Sequence, residues 1–363
     1  MTRVFLLKSY DSEAARGDAL SDGWQLPLAV DALESNGIEL RWSDAAHRAP
    51  WSRPVAQRLI GSLEARTTPF LETLLSTKEI AAADGVLAIF ESRGNSLALL
   101  RSLKIPPFTR PRLVVMTCWL ADLLKDFSSA RRALYRFAYR SIDHLVYFSR
   151  NQTMIYRDVL GIPGERLAYV PFGIDHRVFA PRDAHEDIDV LAVGRDRGRD
   201  WATFLDAVRG TRLNVKIACR PGALSGLSVP ENVEILGWVS KADYRDLTAR
   251  TRVAVIPTQV REYPSGQSVL LEALGMQKCC VVTDTPAIRD YVRHEETALL
   301  VQPRCADSLR SAIERAVSDT GLRSRLGRAG RWAVEREFNA EVMWRRVGEL
   351  CTHPLPGKSA QEG

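Results

Sequence analysis

The chain is short of the features that mark several large classes of protein. Apolar runs such as Leu113–Met116 and Cys279–Val282 end within a few residues, far below the roughly 18 that a membrane-spanning helix needs. Val4–Leu7 is broken by Lys8, too early for a secretion signal, and reads instead as a first buried strand. The six cysteines, at 118, 219, 279, 280, 305 and 351, form no C-x-x-C pair. That sets aside a disulfide scaffold and a zinc site and suits a reducing cytoplasm. No G-x-G-x-x-G follows the first strand, so a nicotinamide or flavin enzyme loses its main support. G-x-S-x-G and H-E-x-x-H are missing too, which removes the usual signs of a serine hydrolase or a zinc protease. Asp187-Ile188-Asp189 has the form of a metal-binding pair, but it opens a strand and is read as structural; no metal is expected. Charge of one sign is not in large excess: 50 basic and 44 acidic residues leave +6. That balance suits an anionic ligand without marking a nucleic-acid binder.

What is present is an ordinary globular composition, 45% hydrophobic and 26% charged over 363 residues, a length that favours two domains over one. Strand-like runs alternate with helix-like ones throughout. Strands are expected near 4–7, 38–42, 86–90, 113–117, 145–148 and 168–170. A second set follows at 188–193, 215–219, 233–236, 253–256, 279–283 and 299–301. Most are apolar on both faces, the pattern of parallel strands covered on two sides, and the alternation with helices implies doubly wound sheets. Helices are expected at 24–33, closed by Asn36-Gly37, and near 70–77, 95–103, 130–141, 151–160, 201–208 and 268–274, with a helical stretch from about 305 to 351. The domains read as 1–182, 183–338, a helix at 339–352 and a polar tail at 353–363.

Two segments carry candidate chemistry. After the strand 253–256 comes Arg261-Glu262-Tyr263-Pro264-Ser265-Gly266-Gln267-Ser268, in which Ser265 is a plausible N-cap for the helix that follows. A helix starting at the carboxyl end of a parallel strand turns its free N–H groups toward a ligand, which suits a phosphate. Glu272, about two turns along, is placed to accept hydrogen bonds from ribose hydroxyls. A capped helix with one solvated Glu is the competing reading. The second segment is Val193-Gly194-Arg195-Asp196-Arg197-Gly198-Arg199-Asp200, in the first β–α loop of the second half. Arg195 and Arg199 could hold a diphosphate in bidentate fashion; a charged loop paired internally through Asp196 and Asp200 is the alternative.

With these residues the chain resembles family 4 glycosyltransferases of the GT-B type, over most of residues 165–340. The resemblance rests on Val170-Pro171-Phe172-Gly173-Ile174-Asp175 through Pro181, on Val193-Gly194-Arg195 with Arg199, on Leu236-Gly237-Trp238-Val239, on Val281–Pro286, and on Thr297–Pro303, in that order. It implies two Rossmann-like domains facing across a cleft, with a C-terminal helix crossing back to the N-terminal domain. It also implies transfer of a sugar from a nucleoside-diphosphate donor to an acceptor hydroxyl with retention of configuration. In that scheme Arg195, Arg199 and Glu262 are catalytic. Gly194, Gly266, Gln267, Ser268 and Glu272 bind the donor, with Glu272 on the ribose. The family's first glutamate would fall at 264, where Pro264 stands, and Glu262 is two places early. No cofactor or metal is implied. The acceptor is a sugar, lipid-linked or secondary-metabolite hydroxyl, and nucleic acid is not a partner. A nucleotide-sugar epimerase and a non-catalytic nucleotide-sugar binding protein on the same scaffold are the rival functions.

The N-terminal half departs further from the family: Cys118-Trp119 stands where a His is common, and the loop Asp11–Trp24 lacks the usual Gly-Gly pair. Residues 131–140 carry Arg132, Arg136 and Arg140 on one helix face. From 101 to 157 there are 11 basic and 3 acidic residues. Contact with an anionic membrane surface on the cytoplasmic side is one reading, and a solvated helix with its aromatics in the core is the other.

Overall fold

The computed structural model describes residues 2–7, 33, 37–42, 70, 73–194 and 196–352. The expected helix 24–33 apart from residue 33, the loop 11–24, Arg195 and the tail from 353 therefore lie outside the described residues; the helix expected near 70–77 is described but for residues 71 and 72, and is helical at 73–75 before a turn at 76. The described strands form two six-stranded parallel sheets.

The first sheet contains β1 (Thr2–Leu7), β2 (Ile38–Trp42), β3 (Gly85–Ile89), β4 (Arg112–Met116), β5 (His144–Tyr147) and β6 (Leu167–Tyr169), in the order β2-β1-β3-β4-β5-β6. Helices α1 (Thr77–Ala82), α2 (Glu91–Ser102), α3 (Leu120–Asp126), α4 (Ser129–Tyr139) and α5 (Gln152–Leu160) connect these strands. Strands β3 and β5 are buried along their whole length, as unbroken apolar runs require. Helix α3 has no counterpart among the expected helices. Its seven residues are too few for periodicity to stand out, and its start is fixed from outside by the Glu91 carboxylate, which accepts hydrogen bonds from the backbone N–H of Cys118 and of Leu120.

The second sheet contains β7 (Ile188–Gly194), β8 (Val215–Cys219), β9 (Val233–Ile235), β10 (Thr251–Ile256), β11 (Cys279–Thr283) and β12 (Leu299–Val301), in the order β12-β11-β10-β7-β8-β9. Its described helices are α6 (Trp201–Val208), α7 (Lys241–Ala249), α8 (Gln267–Gly275), α9 (Ala306–Ser318) and α10 (Thr320–Arg336). Alternate strand residues serve two cores. Val190 and Ala192 of β7 and Ile217 of β8 pack with Phe204 of α6 and Ile313 of α9. Leu191 of β7 and Ala254 and Ile256 of β10 pack with Tyr244 of α7 and with Leu270 and Leu274 of α8. So α6 and α9 cover one face and α7 and α8 the other.

The chain divides into two compact units, with the change at Val170/Pro171, twelve residues before the expected boundary at 182/183. The intervening segment belongs to the second unit because Ile174 and Phe179 are part of its core and the Phe172 N–H donates to the Tyr291 hydroxyl at 3.0 Å. A last helix, α11 (Ala340–Thr352), begins in the second unit, and its residues from Trp344 belong to the first. There Trp344, Val347 and Cys351 are buried. No described helix is long and apolar enough to cross a membrane.

Candidate functional site

In the second sheet the strand order reverses between β7 and β10, the point at which doubly wound sheets bind ligands beyond the carboxyl ends of their strands. The loops leaving these two strands are stitched together. The Gln259 N–H donates to the Gly198 carbonyl at 2.8 Å and the Asp200 N–H to the Pro257 carbonyl at 3.0 Å. Arg199 lies within this seam with only 3% of its side chain exposed. Its Nε donates to the Val193 carbonyl at 3.1 Å, and Nη1 donates to Ser265 Oγ at 3.1 Å while pairing with Asp196 at 2.9 Å. Ser265 Oγ in turn donates to Asp196 at 2.6 Å, and the Tyr263 hydroxyl reaches the same carboxylate at 3.3 Å. Ser265 therefore does not cap α8; Gly266 occupies that position, because the serine hydroxyl is engaged by Asp196 and Arg199.

Two of the expected donor-site glycines exist for this packing. A Cβ on Gly194 would stand 2.4 Å from Arg199 Nε, so only glycine lets the guanidinium lie across the strand end. Gly266 has φ +80°, and a Cβ there would meet Ile256 Cγ2 at 2.5 Å. Of the internally paired reading of this loop the structure contains the Arg199–Asp196 pair, whereas Asp200 accepts from Thr203; one edge of the Arg199 guanidinium is committed to protein partners. The other, Nη2, has no partner among the described residues, and Arg199 lines a cavity of about 590 Å³.

That cavity is also bounded by Arg197, Arg220, Trp201 and Gln259. Its two carboxylates are occupied, Asp196 as described and Asp200 by the N–H and hydroxyl of Thr203 at the start of α6. Arg197 and Arg220 are exposed and have no ion pair among the described residues. Arg220 was not legible as a site residue; the one signal was its position directly after β8.

Among the expected site residues that are described, Arg199 alone lines this cavity. Gly194 lies under its side chain at the end of β7, and the others belong to α8 and the loop before it. The backbone N–H groups of Gly266 and Ser268 have no acceptor among the described residues, whereas that of Gln267 is taken by the Pro264 carbonyl at 3.1 Å. Gln267 contributes a buried side chain whose Oε1 is without a partner. Open N–H groups at the start of a nine-residue helix are donors of the kind that suits an anion. Glu262 is half-buried in the preceding loop, beside Tyr263. Glu272 lies on the α7 side. Burial lowers the pKa of Lys241 while Glu272 opposes the shift, and burial followed by the Glu272 charge pushes Tyr244 well above the usual tyrosine range. Lys241, the first residue of a helix capped by Ser240, is a neighbour of Glu272 that sequence reasoning missed. The expected residues are thus distributed over the α8 mouth and the Arg199 seam rather than in one pocket.

The remaining sequence candidates have the following surroundings. Asp187 and Asp189 are paired with Arg250 and Arg252, and the described residues contain no cluster fit to hold a metal. Cys118 is buried. On α4, Arg132 donates to the Leu124 and Lys125 carbonyls and Arg136 to those of Asp158 and Val159, at the ends of α3 and α5. Arg131 and Arg140 lie over the rings of Phe127 and Phe137.

Residues 188–319 match the family model "Glycosyl transferases group 1". The chain is similar to an exopolysaccharide phosphotransferase of Streptomyces coelicolor, with 29% identity over 229 residues that cover 58% of this chain and 23% of the relative's length. Among solved structures it resembles sucrose-phosphate synthase from Thermosynechococcus elongatus, with a TM-score of 0.73 and 16% identity over 96% of this chain and 98% of that one. It also resembles Anabaena HepE in complex with UDP and glucose, with a TM-score of 0.69 and 14% identity over 96% and 99%. At these identities the structural likeness is one of fold. Residues 188–319 therefore constitute a glycosyl transferases group 1 domain, carried by a chain of GT-B fold.

Proposed function

We propose that the chain is a family 4 glycosyltransferase that moves a sugar from a nucleoside-diphosphate donor to an acceptor hydroxyl with retention of configuration. The observation that carries this reading is the mouth of α8, where the open N–H groups of Gly266 and Ser268 precede Glu272 within a group 1 domain. In this reading the diphosphate rests on the helix mouth and Glu272 accepts from the ribose hydroxyls. The free edge of Arg199, together with Arg195, meets the charge that grows on the departing nucleoside diphosphate, which is the chief electrostatic demand of such a transfer. Glu262 contacts the donor sugar from the adjoining loop. Guanidinium and N–H groups supply the stabilisation, so turnover is expected to survive EDTA. HepE, which shares the fold, is known in complex with UDP and glucose, and UDP is the first nucleotide to try. Membrane contact through 131–140 is a further part of the proposal, tested by co-sedimentation with anionic vesicles.

Calorimetry tests the donor site. Replacing Glu272 by Ala removes a charged hydrogen-bond acceptor and is expected to weaken nucleoside-diphosphate binding by about 1–3 kcal/mol. Unchanged affinity would take Glu272 out of the site. Acceptor-stimulated release of nucleotide separates transfer from epimerisation and from binding without turnover.

A further inference from the structure

The first sheet has a ligand edge of its own. Its strand order reverses between β1 and β3, and the residues leaving β3 and β4 are delivered to the edge where such sheets take ligands. Phe90, directly after β3, holds φ at 67°, a conformation that non-glycine residues rarely adopt and that clusters at functional sites. Glu91 follows and is 6% exposed. Its Oε1 accepts hydrogen bonds from Thr117 Oγ1 at 2.6 Å and from the N–H groups of Cys118 at 2.8 Å, Leu120 at 2.7 Å and Trp119. The second carboxylate oxygen has no partner among the described residues. One buried carboxylate thereby pins the loop after β4 to the start of α2, and that loop carries Trp119. The Phe90 and Trp119 rings lie 5.4 Å apart, tilted by 36°, yet Trp119 remains 42% exposed while Leu120 and Ala121 beside it are fully buried.

We infer that Phe90 and Trp119 form a stacking shelf for a neutral pyranose ring, with the open oxygen of Glu91 available to accept from one of its hydroxyls. A pyranose has a face of C–H groups that suits the negative face of an aromatic ring, and a rim of hydroxyl donors that suits a carboxylate. The same carboxylate disfavours an anionic ligand or lipid headgroup at this place, and a lipid tail has no use for it. The assignment of the ring as the acceptor sugar rests on the glycosyltransferase reading above; the carbohydrate shelf itself does not.

The test uses the full chain and three neutral probes, maltotriose, cellotriose and chitotriose, followed by tryptophan fluorescence and by saturation-transfer NMR. At least one probe is expected to bind, with saturation strongest on its ring C–H protons. Trp119→Ala is expected to weaken that binding tenfold or more and Trp119→Tyr to restore part of it, both with nucleoside-diphosphate affinity unchanged. Failure of all three probes to bind, equal binding by Trp119→Ala, or Trp119-dependent capture by anionic vesicles in place of sugar overturns the shelf. Sugar binding in a protein that binds no nucleotide would leave the shelf standing and remove the transferase reading instead.

Discussion

Arg199 and the glycines around it show how one residue can be read correctly for place and incompletely for role. Its position in the first β–α loop of the second unit marked it as a phosphate ligand, but a one-dimensional spacing does not say that Asp196, Ser265 and the Val193 carbonyl converge on it. Its replacement has a structural cost as a result. Arg199→Ala takes the guanidinium from Asp196, which keeps its hydroxyl donors Ser265 and Tyr263, and removes the side-chain donor to the Val193 carbonyl, and is expected to destabilise the fold by about 2–3 kcal/mol. Nucleotide affinity should fall as well. Urea unfolding and calorimetry on the same variant separate the two, and an unaltered unfolding midpoint would show that the seam does not depend on this arginine. Gly266→Ala probes the same region through the backbone. A φ of +80° and a Cβ 2.5 Å from Ile256 Cγ2 predict a loss of about 1–3 kcal/mol, read as a lower melting temperature.

At the scale of elements, apolar runs located the strands well because both faces of each sheet are covered, which leaves little room for a polar residue to shift the register. Val215–Cys219, Cys279–Thr283 and Leu299–Val301 fall where expected. Helix α3 and the true cap of α8 were not legible, since each is settled by a side chain from elsewhere, Glu91 for the first and Asp196 for the second. A similar long-range tie joins the start of β7 to the end of α7. The Arg250 guanidinium hydrogen-bonds Asp187 and holds its carboxyl down at about 2. A carboxylate whose pKa is lowered on folding stabilises the protein above its unfolded value of about 3.9 and loses that contribution as the pH falls toward the folded one. The melting temperature of Asp187→Asn should therefore lie below that of the parent between pH 5 and 7, and the gap should close as the pH is lowered from about 4 to about 2. A gap that persists at the lowest pH would point to lost packing instead of lost charge.

At the scale of the whole molecule, the described strands form two parallel sheets of different strand order, and the expected donor residues all belong to the second unit. A ligand of that unit should raise its unfolding midpoint. A nucleoside diphosphate at 100 times its dissociation constant adds about 2.7 kcal/mol, so a melting screen of UDP, GDP and TDP is expected to single out one base, and equal shifts with all three would place recognition on the phosphates alone. The sequence by itself determined the class of fold and the succession of strands, because hydrophobic periodicity is a local signal. Only the tertiary structure decided which polar groups are left open. Hydrogen bonding is a matter of which partners meet in space: Asp196 takes one edge of Arg199, Pro264 takes the Gln267 N–H, and Glu91 props Trp119 in view, none of which spacing along the chain can convey.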